Sequence, residues 1–433
     1  MNATNSALAS MISSAITTDI GVEASSGIGS APYSIRHVIE PKAWSSGRLG
    51  DWTGAGTPLA LFVTLGLPAG VIGVAWPEMR VSLAAPLAGL GLLLAAFTVG
   101  YFLASASSGW VTRRIGTPAV LMGGCGLAGA GSLGLSVANR WWMVPVAGLT
   151  LGAGSGLIDA AVNAHVSLNR GVRYMGWLHA SWALGAALGP PLVVISLAAT
   201  GSWRASFAAM AVAFLGIGAI VGTRRHDWIH TAASANRRAR VAAPIPSEYR
   251  RALAGLICMF LLGGGLEGTA GDWSYTHLTA GRSLSTGVAS TSSSLFWAGL
   301  AAGRVALGVL GNRVGPIHLL DAGVTGAALA TLAFWVGSPL VSGLIALPIL
   351  GLAISVIFPL LLSITPTRVG ATMTSHAVGY ELAAGTLGGG GIPALTGLVL
   401  QSAGLLLLGP LLAIMGAGLL LLHLASRRPR PAA

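Results

Sequence analysis

The sequence predicts an all-α membrane protein, with twelve transmembrane helices in two pseudo-symmetric six-helix bundles. Three observations predict it. Hydrophobic residues make up 54% of the chain and Asp, Glu, Lys and Arg only 8%, whereas a soluble domain carries about 25% charged residues. Apolar runs of about 20 residues, the length of a bilayer crossing, recur from residue 57 onward. The second half of the chain also repeats the first at one constant offset.

The runs fall at roughly 57–78, 84–108, 117–138, 142–167, 175–198, 203–222, 252–273, 287–311, 317–337, 340–363, 372–397 and 401–424. They are continuously apolar and do not alternate, so they predict helices rather than barrel strands. The run near 287 opens on a polar Ser/Thr stretch. Residues 1–56 are rich in Ser, Ala, Gly and Thr and read as a flexible tail, or as the product of a start codon assigned too far upstream. No Lys or Arg precedes Arg36, so a basic n-region for a secretory signal is missing. Six spans in 57–222 form one bundle and six in 252–424 the other. The stretch 223–251, with "TRRHDWIH" and "ANRRARVAAPIPSEYR", reads as a hydrophilic linker, and 425–433 as a short tail.

The repeat appears when the chain is slid by 199 residues. Phe97, Gly100, Gly109, Arg114 and Gly116 then fall on Phe296, Gly299, Gly308, Arg313 and Gly315. Gly152 falls on Gly351, and Gly189 on Gly388. One offset held through four helix pairs predicts two parallel six-helix repeats.

Orientation follows from the arginines. With the N-terminus inside, the inner segments hold sixteen, among them Arg113, Arg114, Arg224, Arg225, Arg427 and Arg428. The outer segments hold four: Arg80, Arg140, Arg204 and Arg282. That bias places both termini in the cytoplasm of a bacterial inner (plasma) membrane. The net charge of +12 then belongs to topology and anionic lipid, and a nucleic-acid partner is not needed to explain it. Cys125 and Cys258 are the only two cysteines, too few for a disulfide framework or a cysteine-based zinc site. No metal or cofactor is expected. The chain has no H-E-x-x-H, P-loop lysine or G-x-S-x-G motif, and its single lysine, Lys42, lies in the tail, so an enzyme or ATP-driven pump is not expected.

Two stretches carry a resemblance. "GWVTRRIG" (109–116) and "GVLGNRVG" (308–315) resemble the G-x-L-a-D-r-x-G loop of the major facilitator superfamily and its repeat. The gating residues carried over are Gly109, Arg113, Arg114, Gly116, Gly308, Asn312, Arg313 and Gly315. The family's acid, which helps latch the cytoplasmic side, is replaced by Arg113 and Asn312. "GVAWPEMR" (73–80), "GLIDAAVNAHV" (156–166), "WLHASWALGAALGPPLV" (177–193), "EGTAGDW" (267–273) and "FWAGLAAGRVALG" (296–308) are similar to the fucose-permease-like branch. The resemblance implies a secondary transporter working by alternating access. Sugar–proton symporters of that branch use acids on the first and fourth helices. Here the first helix offers only Glu78, at its outer end.

Candidate site residues come from polar groups in apolar spans. On the fourth helix Ser155, Asp159, Asn163 and Ser167 recur every four residues and form one stripe. Asp159 stands eleven residues from Arg170, roughly 16 Å along the helix and near mid-bilayer. It reads as a cavity-facing acid that binds a proton or solute, or else as a polar contact between helices. Glu267, Arg304 and Glu381 are the other deep ionisable residues, and Glu381 reads with Asp159 as one of the deepest acids facing a plausible cavity. An unpaired arginine at that depth is costly, so Arg304 should have Glu381 or Glu267 as partner. His179 and His376 are either titrating groups or neutral hydrogen-bonding ones. Tyr380 stands beside Glu381. Trp182 and Trp297 either stack on a sugar face or pack between helices. Asp272 is placed near the outer interface and Asp321 as an interfacial cap. His277, Trp141, Trp142 and Trp203 read as membrane-belt residues.

The expected function is secondary transport of a small organic solute, coupled to protons, by a monomer; a sugar-like solute is one option. An exporter of drugs or metabolites and a non-transporting sensor with a transporter fold are the alternatives.

Overall fold

The computed structural model describes residues 56–169, 172–231 and 247–427. The expected tail 1–56 therefore lies almost wholly outside the described residues, as do the middle of the 223–251 stretch and residues 428–433. The described chain is helical. In order come α1 (Gly56–Ser82), α2 (Gly89–Ile115), α3 (Thr117–Ser136), α4 (Met143–Asn169), α5 (Val172–Thr200) and α6 (Arg204–Thr223). Then follow α7 (Ser247–Thr276), α8 (Thr286–Val314), α9 (Pro316–Val336), α10 (Pro339–Gly370), α11 (His376–Ala403) and α12 (Leu408–Ser426). Eleven helices among the described residues are long and apolar enough to cross a membrane. The remaining one, α8, has 29 residues, about 43 Å at 1.5 Å per residue, and its lower apolarity comes from the Ser/Thr run and Arg304.

Several boundaries differ from the sequence expectation. Helix α1 continues through Pro77 to Ser82. Helix α2 begins only at Gly89, after a turn in which Ala84 has φ 49°. The expected linker is helical at both described ends: Arg225–Thr231 is a 3-10 helix, and α7 begins at Ser247. At its far end α7 runs into a π-turn, His277–Gly281, so this span extends eight residues past the expected 273. Helices α10 and α11 join at Gly370, whose φ of 73° breaks the helical path.

The two halves pair their helices alike. In the first half α1 packs on α5, α2 on α4, α3 on α4 and α3 on α6; in the second α7 packs on α11, α8 on α10, α9 on α10 and α9 on α12. Lipid tails are as apolar as the side chains, so close backbone approach at small residues must drive this packing. The approaches repeat at the 199-residue offset. Gly100 faces the Leu149 carbonyl and Gly152 that of Phe97; Gly299 faces the Pro348 carbonyl and Gly351 that of Phe296. A Cβ at any of the four would collide with the opposite backbone. The stretches 109–116 and 308–315 also match. They were expected as loops but are the last turns of α2 and α8, each ended by a left-handed glycine, Gly116 (φ 83°) or Gly315 (φ 82°). Arg113, Arg114 and Arg313 are exposed there, with Arg114 over the Trp110 ring at 4.3 Å. The side chain of Asn312 lies outside the described residues.

The halves meet through α1 with α7, α2 with α11 and α5 with α8. The first two contacts form a seam near the face that carries the α1–α2 connection. Gly73 lies against the Asp272 backbone, Gly91 against Ala394, and Gly390 against the Thr98 side chain. The Ala88 amide donates to Gln401 Oε1 at 2.8 Å.

Two interfacial readings change. His277 is 1% exposed, with Nδ1 2.8 Å from the Leu405 carbonyl, and Trp203 is 2% exposed and donates to Ser82 Oγ at 2.9 Å. Both tie connections down inside the protein; of the expected belt, Trp142 remains exposed and Trp141 packs edge-on against Trp76. Asp321 is more than a cap. It bonds His423 Nε2 at 2.6 Å and Arg427 Nη2 at 2.5 Å, joining α9 to the end of α12.

Candidate functional site

A cavity of ≈ 380 Å³ lies between the halves, within the size range of small-molecule pockets. It is lined from α1, α2, α4 and α5 on one side and α7, α8, α10 and α11 on the other. These are the same four positions in each repeat. The seam closes it toward the α1–α2 face. Away from that seam, Leu382 lines the cavity and is 51% exposed.

Asp159 lines the cavity from α4. Gly156, one turn before it, packs on the Tyr101 backbone and so brings α2 close. Tyr101 Oη then donates to Asp159 Oδ2 at 2.7 Å, and Asn163 Nδ2 donates to Asp159 Oδ1 at 3.0 Å. The fourfold spacing read from the sequence sets Asn163 under Asp159. Tyr101 was not anticipated, because it comes from another helix; its only signal was a phenol in an apolar span. Among the described residues the carboxylate thus has two neutral donors and no ion-pair partner.

Arg304 enters from α8. Its Nη2 lies 3.8 Å from Glu267 Oε1 of α7, and Nη1 donates to the His179 carbonyl of α5 at 3.2 Å. The guanidinium therefore bridges the two halves. It also stands 5.6 Å from the Trp182 ring centre, a cation–π distance. Trp182 meets Trp297 edge-to-face at 5.5 Å across the halves, and His179 packs edge-on against Phe62 at 5.7 Å. Trp182 and Trp297 both line the cavity.

Of the expected site residues, Asp159, His179, Trp182, Glu267, Trp297 and Arg304 line this cavity, and Asn163 reaches it through Asp159. His376, Tyr380 and Glu381 do not line it. Tyr380 is 44% exposed, and His376 sits at the start of α11, half-buried. Glu381 is 0% exposed and holds Thr365 Oγ1 at 3.0 Å with both oxygens. It faces α10 within its own bundle, so the expectation of a cavity-facing acid is corrected, and Glu267 rather than Glu381 is the partner of Arg304. The structure adds Asp272, which lines the cavity at 8% exposure. The π-turn extends the helical path nine residues beyond Asp272, roughly 13 Å of helix, which moves it from the expected interface into the protein. Thr98, Ser155 and Tyr101 also line the cavity. Among the described residues no cluster of His, Cys, Asp and Glu suits a metal ion.

Residues 58–393 match the sequence pattern of the Major Facilitator Superfamily. No curated protein matches the chain. Among solved structures, the chain is similar to the nucleoside transporter NupG, with 15% identity, a TM-score of 0.70, and coverage of 87% of this chain and 100% of that one. It is also similar to a Major Facilitator Superfamily transporter, FucP, in the outward conformation, with 16% identity, a TM-score of 0.55, and coverage of 87% and 99%.

Proposed function

From the premise that the chain belongs to the Major Facilitator Superfamily, and is thus a transporter in an integral membrane fold rather than an enzyme, we propose that it moves a small organic solute by proton-coupled alternating access. The observation that carries this reading is the cavity between the halves, closed by a seam at one face and holding Asp159 between two neutral hydrogen-bond donors. A carboxylate so placed can take up a proton without breaking an ion pair. The aromatic lining suits a ring-bearing solute; a nucleoside- or sugar-sized molecule fits the volume, and a nucleoside agrees with the likeness to the nucleoside transporter NupG. Solute and proton enter from one side, the halves rock about the cavity, and both leave on the other.

The arginine bias supports cytoplasmic termini in a bacterial plasma membrane, with the α1–α2 face outside. The seam is then external and the cavity open toward the cytoplasm. The replacement of the latch acid by Arg113, exposed at the end of α2, agrees with a resting state open to the inside. Since the repeats enclose the cavity within one chain, a monomer suffices.

The test is accumulation by purified protein in proteoliposomes under an imposed pH gradient, screened over sugars, polyols, nucleosides and antibiotics. Accumulation that collapses with a protonophore is expected. Solute binding with no flux in any gradient would instead make the protein a sensor.

A further inference from the structure

We infer that Asp272 is the anchoring group for a positively charged solute: an organic cation whose ammonium sits at this carboxylate and whose apolar body lies among the aromatic rings of the cavity. The inference rests on the reading of this cavity as the solute site.

Among the described residues three carboxylates line the cavity, those of Asp159, Glu267 and Asp272, against one guanidinium, Arg304. His179 also lines the cavity, and its carbonyl already accepts from Arg304. The arginine is committed to Glu267, and Asp159 is satisfied by Tyr101 and Asn163. Asp272 differs from both. Among the described residues no side-chain hydrogen bond or ion pair reaches its carboxylate, although it is 8% exposed. Leaving a buried acid unpartnered is costly, a cost that a bound cation removes.

Its position is built. Gly73 lets α1 lie directly on the Asp272 backbone at the closed end of the cavity. On the other side the Trp297 ring packs on Gly271, where any side chain would collide with it. The indole thus packs on the residue next to Asp272, both Trp297 and Asp272 line the cavity, and Phe62, Phe97 and Tyr101 contribute further rings to the lining. Two polar atoms of this lining are also buried without a partner, Trp297 Nε1 and Ser155 Oγ. An indole N–H can only donate, so the solute should carry an acceptor as well as its cationic donor.

The experiment uses three probes with one 5-methoxyindole body, whose ether oxygen supplies the acceptor in each: 5-methoxytryptamine (cation), 5-methoxytryptophol (neutral) and 5-methoxyindole-3-acetate (anion). Binding to the purified full chain in detergent is measured by equilibrium dialysis of radiolabelled probe. The amine should bind at least tenfold more tightly than the alcohol, and the carboxylate least. Asp272→Asn should abolish the preference, and Asp272→Glu should retain it. Equal binding of cation and alcohol, binding of none of the three, or a preference that survives Asp272→Asn would overturn the assignment. The wild-type ratio keeps the test valid even if a variant misfolds. If the preference fails while proteoliposomes still accumulate a solute in a pH gradient, the transporter reading stands and only the cation assignment falls.

Discussion

Arg304 lies 3.8 Å from Glu267 of its own half and donates to the His179 carbonyl of the other at 3.2 Å. Both charged side chains are 13% exposed, so neither is well solvated once the other is gone. Arg304→Ala should destabilise the protein by about 3 kcal/mol, read as a lower Tm in detergent. Combining it with Glu267→Gln should recover much of that loss, whereas combining it with Glu381→Gln should give additive losses. Additivity in both cycles would refute the pairing.

Asp159→Asn should cut uphill accumulation at least tenfold while counterflow persists, because exchange of solute needs no net proton movement. Tyr101→Phe removes one of the two donors and should weaken accumulation without abolishing it. Both are read in proteoliposomes. Wild-type accumulation by the Asn variant would remove Asp159 from the coupling step.

Glu381→Gln should leave uphill accumulation intact, since this residue is enclosed with Thr365 away from the cavity. Thr365→Val should instead lower stability by roughly 1–3 kcal/mol by leaving a buried carboxyl without its donor. Loss of accumulation in the Gln variant would return Glu381 to the coupling machinery.

Gly390→Ala should open the seam. The added methyl runs into the Thr98 side chain, so states closed at the α1–α2 face lose population. In a background lacking Cys125 and Cys258, a reporter Ala394→Cys should label several-fold faster with a membrane-impermeant maleimide. A second change, Thr98→Gly, should restore slow labelling. Unchanged labelling would mean that the seam is not limiting.

Asp321→Asn should lower stability by about 1–2 kcal/mol, because His423, nearly enclosed, loses its acceptor charge and Arg427 its partner. Thermal unfolding at two salt concentrations separates the arms. The exposed Arg427 share is screened by salt and the His423 share is not.

The sequence made the spans legible because bilayer length and continuous apolarity are strong one-dimensional signals. The repeat was equally legible, since Gly100 and Gly299 face equivalent carbonyls in the two halves. Asp159 and Asn163 could be paired because fourfold spacing fixes neighbours on one helix. What spacing leaves open is the neighbour on the next helix. Thus Tyr101 was missed, Glu381 was assigned to the cavity although it turns to Thr365, and Glu267 and Glu381 could not be ranked as partners of Arg304. Asp272 was misplaced for another reason. Its depth was counted from an apolar run ending near 273, but the backbone stays helical through a π-turn to Gly281, against the polar signal of His277 and Thr279.

The repeated scaffold has a consequence for how a solute is oriented. At the 199-residue offset Asp159 corresponds to Phe358, Glu267 to Pro68, Asp272 to Gly73 and Arg304 to Ser105. The framework is duplicated, but among the described residues each of these charges is single. The halves run parallel, so exchanging them leaves inside and outside where they are. A fully duplicated lining would offer a solute two equivalent poses, related by a half-turn about the membrane normal. The single charges remove that equivalence, so a solute has one preferred pose and the two halves carry unlike shares of its contacts.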